Sequence, residues 1–220
     1  MRISDRAFDD IVGDEVTDRA TYERQYRRPT WPGEESGATV GIGYDLGQTA
    51  RSTIEADWRG RVPDDMLAAM VAVAGRTGQD GKDATAAIRH LVDVPWETAI
   101  AVHRDCVVPR WEATVRNALP NCDALHPHCF GALVSLTFNR GASFGRDGDR
   151  YTEMRAIKAA MAQRDFAAVP ALIRAMKRIW KGKGLDGLLT RRDREAKLFE
   201  DGLAAQAAPA PKTPPIGGVS

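Results

Sequence analysis

The chain has 220 residues, of which 43% are hydrophobic and 28% charged, with a formal net charge of +1. That length can bury a full core as one domain or two small ones, and the composition is that of an ordinary globular chain. No apolar run approaches the length of a membrane-spanning helix, and three cysteines argue against an obligate disulfide framework.

In chain order, Ser4 reads as an N-cap and Asp5 suits the first turn of a helix in which Phe8, Ile11, Val12 and Val16 repeat at helical spacing. Glu15 lies on that inward stripe, and Asp14 points elsewhere. A carboxyl pressed against apolar neighbours is desolvated, so its pKa should rise and it can act as a general acid. Helical position alone leaves a second reading open, a salt bridge with Arg19 or Arg24 at a partly wet helix end.

The next informative stretch is Thr39-Val-Gly-Ile-Gly-Tyr-Asp-Leu-Gly47. As one extended strand it would put Thr39 and Asp45 about 20 Å apart, at roughly 3.3 Å per residue. With Gly41-Ile42-Gly43 as a tight turn, Val40 opposes Tyr44 and Thr39 opposes Asp45, and opposed side chains have Cβ atoms about 5 Å apart. The hairpin can hold one water between a hydroxyl and a carboxylate. The straight strand cannot.

Beyond it, helices are expected at Arg51–Arg61, from Asp65 to Ala74 after a start at Pro63-Asp64, at Ala84–Val92, at Trp96–Cys106 and at Trp111–Ala118. Gly75–Asp83 reads as a glycine-rich turn, and Pro109 as a break or kink. Cys129–Asn139 is the most apolar segment and fits a central buried helix ending at a Gly141 cap. Asn139 and Arg140 at that end either face a cleft or simply cap the helix. Further helices are expected at Thr152–Gln163, Phe166–Arg178 and Leu189–Glu200, while Asp147-Gly148-Asp149 is too short for a calcium loop and reads as a turn. Trp180 stands ready to stack on a sugar or to fill core. One short hairpin among many helices predicts an α+β, predominantly helical fold with a cleft beside the β subregion.

Glu15, the Thr39–Gly47 run and Phe138-Asn-Arg-Gly141 together resemble the phage-type lysozymes, or muramidases, and the pesticin-like branch related to them. The resemblance runs from about Arg2 to Gly202. It implies a lysozyme-like muramidase domain over residues 1–202, with a helical lobe and the hairpin flanking a cleft. It also implies a general-acid Glu on the N-terminal helix and a Thr just before the Gly-Ile-Gly turn, which are Glu15 and Thr39 here. In the phage enzymes the catalytic Asp stands six residues before that Thr, where this chain has Gly33. In the pesticin-like branch it stands six after, at Asp45. The second carboxylate is therefore expected to be Asp45, with Glu35 as the fallback.

The reaction so implied is hydrolysis of the β-1,4 bond between N-acetylmuramic acid and N-acetylglucosamine, with inversion and lysis of the bacterial wall. Glu15 protonates the leaving oxygen while Asp45 and Thr39 position water. No cofactor is needed for that chemistry. Tyr26 and Tyr44 are candidates to line the sugar sites, with Asn139 and Arg140 as further contacts. Two rivals stay open: a wall-binding protein of the same fold that has lost hydrolysis, and a lytic transglycosylase, which also uses one Glu.

Charge is unevenly spread. Residues 1–100 hold 12 basic and 18 acidic side chains, net −6, and residues 140–200 hold 15 and 8, net +7. A basic C-terminal lobe is either a solvated helix surface or a match for an anionic polymer, the bacterial wall more than nucleic acid, because no nucleic-acid motif accompanies it. His126, His128 and Cys129 lie near Asp123, but a helix-entry loop with Pro127 explains them and no metal is expected. The N-terminus starts polar, without a signal sequence. Synthesis in the cytoplasm is therefore expected, as a monomer without membrane insertion, with holin- or secretion-dependent delivery to the periplasmic wall. Residues 203–220, rich in alanine and proline, read as a disordered tail or linker.

Overall fold

In the computed structural model, which describes residues 1–208, α1 runs from Asp5 to Val16. The Ser4 hydroxyl accepts from Ala7 N–H at 3.2 Å, satisfying one of the amides that a first turn leaves unpaired. Ala7, Phe8, Ile11, Val12 and Val16 form its buried stripe. A short helix absent from the sequence reading follows, α2 (Arg19–Gln25). Thr17, at φ +67°, turns the chain, and the Asp18 carboxylate accepts from Thr21 N–H. With Tyr22 as its one buried side chain, α2 has no apolar period to read; packing rather than propensity sustains it.

The hairpin has the expected register. β1 (Thr39–Val40) pairs antiparallel with β2 (Tyr44–Asp45), Thr39 opposite Asp45 and Val40 opposite Tyr44. Gly41 and Gly43 hold φ of +58° and +66°, where a Cβ would be strained. Thr30 adds a bridge on the other edge of β1, exchanging backbone hydrogen bonds with Thr39 at 2.9 and 2.8 Å. The connection before β1 thus folds back alongside it.

The remaining helices are α3 (Arg51–Trp58), α4 (Asp64–Ala72), α5 (Gly78–Ile88), α6 (Trp96–Val102), α7 (Val108–Ala118), α8 (Pro127–Arg140), α9 (Thr152–Gln163), α10 (Val169–Ala175) and α11 (Asp186–Ala207). Among the described residues the hairpin is the only sheet. The architecture is α+β and predominantly helical.

Three segments differ from the sequence reading. The expected Gly75–Asp83 turn is helical from Gly78 onward. Gly81 is there for close approach, since an added Cβ would lie 2.6 Å from Ser36 O and 3.0 Å from Gly37 Cα. At Pro109 the α-helical pattern is interrupted, as expected, but the chain stays helical. Just before it α6 widens into a π-turn over His103–Val107, and α7 continues with Pro109 in its first turn. A π-turn's extra residue lets the hydrogen-bond ladder pass a ring that has no N–H. Finally, α11 continues to Ala207, past the Gly202 boundary expected for the tail. Gly202 is buried against α8, where an added Cβ would sit 2.5 Å from Cys129 Sγ, so packing carries the helix onward. Residues 209–220 of the expected tail lie outside the described residues.

Two apolar cores share α1. Ala7 and Ile11 join the core built around α8, α9, α10 and α11, whereas Phe8, Val12 and Val16 join the core of the hairpin and α3 to α6. Adjacent faces of one helix thus meet two lobes, and the end of that helix lies between them.

Candidate active site

Glu15 is the penultimate residue of α1 and reaches the turn of the hairpin: a Cβ on Gly43 would lie 3.3 Å from Glu15 Oε2. Its side chain is 24% exposed, enough to meet a ligand while most of its hydration is gone. Burial is the largest influence on its pKa and pushes it up. The nearby charge of Arg191, with Nη1 3.4 Å from Glu15 Oε1, pulls the other way. The salt bridge considered with Arg19 or Arg24 is not formed. Arg19 pairs with Glu23 at 3.7 Å and Glu97 at 2.6 Å, and Arg24 bonds the Thr21 hydroxyl at 3.4 Å.

Arg191 is itself buried, held by four groups. Its Nε lies 3.0 Å from Asp14 Oδ2 and 3.3 Å from Glu195 Oε1, and its Nη2 donates to Ser135 O at 3.2 Å. Glu195 also accepts from the Ser135 hydroxyl and from Arg192 Nη2, each at 2.8 Å. Arg194 makes a second pair with Asp14. Asp14 and Glu195 therefore share the charge that would otherwise act on Glu15 alone, and burial keeps the upper hand there.

Glu15 lies at the junction of two hollows. One, of about 210 Å³, is on the hairpin side and is bounded by Tyr26, Thr30, Pro32, Thr39, Gly41 and Gly43. The other, of about 690 Å³, opens towards α11 and is bounded by Asp14, Asn139, Leu185, Thr190, Arg191 and Arg194, among others. The result is a trough that runs past one acid on both sides.

On the hairpin side, the Thr39 hydroxyl is buried with no hydrogen-bond partner in the protein. Such a group is costly unless it meets a ligand or solvent. Asp45 stands directly across from it, but its carboxylate turns into the following loop. Oδ1 accepts from Gly37, Gly47 and Gln48 N–H at 3.1, 2.8 and 3.1 Å, while Oδ2 shares only the Gly37 N–H at 3.1 Å. Asp45 bounds neither hollow. Its freer oxygen is Oδ2. Glu35 is exposed and bounds neither hollow; its Oε2 faces Gly78, and its carbonyl accepts from Gln48.

The other candidates divide. Tyr26 bounds the hairpin-side hollow and Asn139 the larger one, where Asn139 Oδ1 accepts from Arg192 at 3.3 Å. Tyr44 does not line the cleft. It neighbours Asp45 in β2, so alternation sends it to the opposite face, where its hydroxyl donates to Asp57 at 2.6 Å and its ring meets Trp58 edge-on. Arg140 does not reach the hollows either. Its guanidinium stacks over Trp180 at 5.0 Å and donates to Arg150 O at 2.8 Å, which leaves it closing the end of α8. Trp180 is core.

Sequence reasoning missed Thr30 and Arg191. Thr30 gave no signal, since its place depends on the loop folding back. Arg191-Arg192 with Glu195 one turn later was a signal: three charged residues cluster on one stretch of helix, and all three are buried. The histidines near Pro127 are used structurally, His126 accepting from His128 N–H at 3.1 Å and His128 Nδ1 meeting the Ser4 hydroxyl at 2.7 Å. Among the described residues no group of three or more His, Cys, Asp or Glu is arranged to hold a metal. No described helix is long and apolar enough to cross a membrane.

The site is thus a carboxyl at a helix end beside a Gly-Ile-Gly hairpin, in a trough between two lobes. The phage lysozyme family profile matches residues 39–195, and the chain belongs to that family. Its fold is the predominantly helical, α+β lysozyme-like one. Membership implies a lysozyme-type glycoside hydrolase acting on peptidoglycan. The matched stretch begins at Thr39, so the case for Glu15 rests on its contact with the hairpin rather than on the match. No curated protein sequence matches the chain.

Proposed function

We propose that the protein hydrolyses the β-1,4 bond between N-acetylmuramic acid and N-acetylglucosamine with inversion, and so opens the bacterial wall. The observation that carries this reading is Glu15, a poorly hydrated carboxyl with a raised pKa at the junction of two hollows that suit an extended chain. Protonated Glu15 donates to the glycosidic oxygen as the bond lengthens. Water held by Thr39 Oγ1 in the hairpin-side hollow attacks the far face of the sugar, and its proton is relayed by a second water to Oδ2 of Asp45, which stands across the hairpin but outside the hollow. The three amides on Asp45 keep its carboxylate oriented. Placing this group after the Thr is the pesticin-like arrangement. Tyr26 and Asn139 contact sugar on the two sides of the scissile bond.

A second reading draws support from the same carboxylate. Among the described residues Glu15 alone contributes a carboxyl to the hairpin-side hollow, and a lytic transglycosylase needs one acid, using the muramic 6-hydroxyl in place of water. Digestion of purified peptidoglycan, with mass spectrometry of the products and NMR of the first-formed anomer, separates the two. We expect inverted reducing ends, and a loss of about 10²-fold or more in Glu15→Gln. Anhydromuramic ends would establish the transglycosylase. Equal inactivity of wild type and Glu15→Gln would leave a wall-binding protein.

A further inference from the structure

The hairpin turn is held from behind by a histidine that the reaction does not use. His103, the first residue of the π-turn, is 1% exposed, and its Nδ1 lies 3.2 Å from the carbonyl of Ile42. Ile42 is the apex of the turn, between two glycines that have no side chains to anchor it. The imidazole is clamped between Phe8 of α1 and Phe138 of α8, each at a ring-centroid distance of 5.8 Å. One side chain therefore touches the acid-bearing helix, the central helix and the turn.

The chemistry of the contact leaves one protonation state. A carbonyl only accepts, so Nδ1 carries the hydrogen and Nε2 is left as an acceptor. That Nε2 is buried without a partner. A second proton would place a charge among aromatic rings, and burial accordingly pushes the pKa down to about 4. An apolar side chain in this place would spare the protein an orphaned acceptor. What it would not supply is the hydrogen bond to Ile42. π-turns recur at functional sites, and here the widened turn is the backbone that presents His103 to the hairpin.

We propose that His103 is a positioning residue: its Nδ1–H holds the Ile42 carbonyl and keeps Thr39 in register with Glu15. This rests on the proposed function, because the hairpin must carry part of the reaction for its register to matter.

The test compares His103→Leu with His103→Asn, whose amide offers a donor in the place of Nδ1. Thermal midpoint, kcat and KM on solubilised glycan, and amide hydrogen exchange at Gly41–Tyr44 are measured for each. His103→Leu should melt at or above the wild-type temperature, yet lose about tenfold to a hundredfold in kcat with KM unchanged and with faster exchange in the turn. His103→Asn should recover most of the kcat and the slow exchange. Wild-type kcat in His103→Leu, with Glu15→Gln inactive, would overturn the role of His103 and leave the proposed function standing. So would kcat losses that follow the thermal midpoint equally in both variants. A wild-type protein that turns over no glycan would remove the proposed function and this role with it.

Discussion

Gly131 on α8 faces Ala7 on α1, the helix that carries Glu15, and the two helices touch backbone to backbone there. A methyl added at Gly131 would overlap the Ala7 Cβ, while its next neighbours, Ile3 Cβ at 3.5 Å and Ala7 Cα at 3.7 Å, would be in ordinary contact. Gly131 has no need of a positive φ, so Gly131→Ala gains about 1 kcal/mol of helix propensity. Against this stands overpacking of a dense core, about 1–3 kcal/mol. Carbon atoms settle at about 3.5–4.0 Å, so α1 must move away by roughly 1.5 Å. We expect a net destabilisation of up to about 2 kcal/mol by urea unfolding. We also expect a fall in glycan hydrolysis of about 10²-fold, because a displacement of that size misplaces the acid. The double variant Ala7→Gly/Gly131→Ala moves the methyl from one helix to the other. The overlap vanishes, the propensity changes cancel, and both stability and activity should return to near wild type. A single variant as stable and active as wild type would refute the reasoning, and so would a double variant no better than the single.

Three further outcomes follow from the charges around the site. Activity requires protonated Glu15, whose pKa is raised by burial, so hydrolysis should fall as pH rises through that value. Glycan binding removes more water from the acid, and the alkaline limb of kcat should therefore lie above that of kcat/KM; limbs in the reverse order would count against Glu15 as the acid. For stability, a carboxyl with a raised folded pKa favours folding fully below its unfolded value and loses that contribution as pH rises through the folded one. Glu15→Gln abolishes the loss and leaves Arg191 its contacts with Asp14 and Glu195. The variant should gain on wild type in denaturant midpoint as pH rises above the ordinary value of 4.5, and an unchanged difference would contradict the desolvation argument. Arg191→Met strips buried Glu195 and Asp14 of a partner and should cost about 3–5 kcal/mol in urea unfolding. In whatever fraction folds, the alkaline limb should move to higher pH, since Arg191 lowers the Glu15 pKa; a shift to lower pH would refute its role.

What the sequence made legible was local. The stripe of Phe8, Ile11, Val12 and Val16 announces α1 because burial imposes the helical period, and the two glycines around Ile42 announce the hairpin because they alone tolerate its φ values. The Thr39–Asp45 pairing follows from the turn by counting. Side-chain direction beyond that pairing did not follow. Asp45 shares a face with Thr39, yet the amides of Gly37, Gly47 and Gln48 compete for its carboxylate, and those amides converge only once the loop has folded. Tyr44 is only a candidate for the sugar sites from the sequence, and the alternation that puts Thr39 and Asp45 on one face puts Tyr44 on the other. The Arg191-Arg192-Glu195 cluster was legible as a charged group on one helix, but not its meeting with Glu15, which is 176 positions away. Gly81 looked like a turn residue, and its cause is tertiary, the backbone of Ser36 and Gly37 passing where a side chain would be.

The two cores sharing α1 explain why the acid sits where it does. Phe8, Val12 and Val16 bind the helix to the hairpin lobe, while Ala7 and Ile11 bind it to the lobe of α8. Glu15, at the helix end, is therefore fixed relative to both lobes and exposed only in the trough between them. The groups facing it come from opposite sides: Arg191 is anchored in the α8–α11 lobe through Glu195 and Ser135, and Thr39 belongs to the hairpin. The hairpin is in turn tied from behind by Tyr44 to Asp57, which also pairs with Arg110, and by Ile42 to His103. Polar contacts on the hidden faces thus hold the parts in register, and the open face keeps few. That division lets the trough expose one poorly hydrated acid and one unpartnered hydroxyl to a polymer, at a cost in stability that the packing of α1 against two cores offsets.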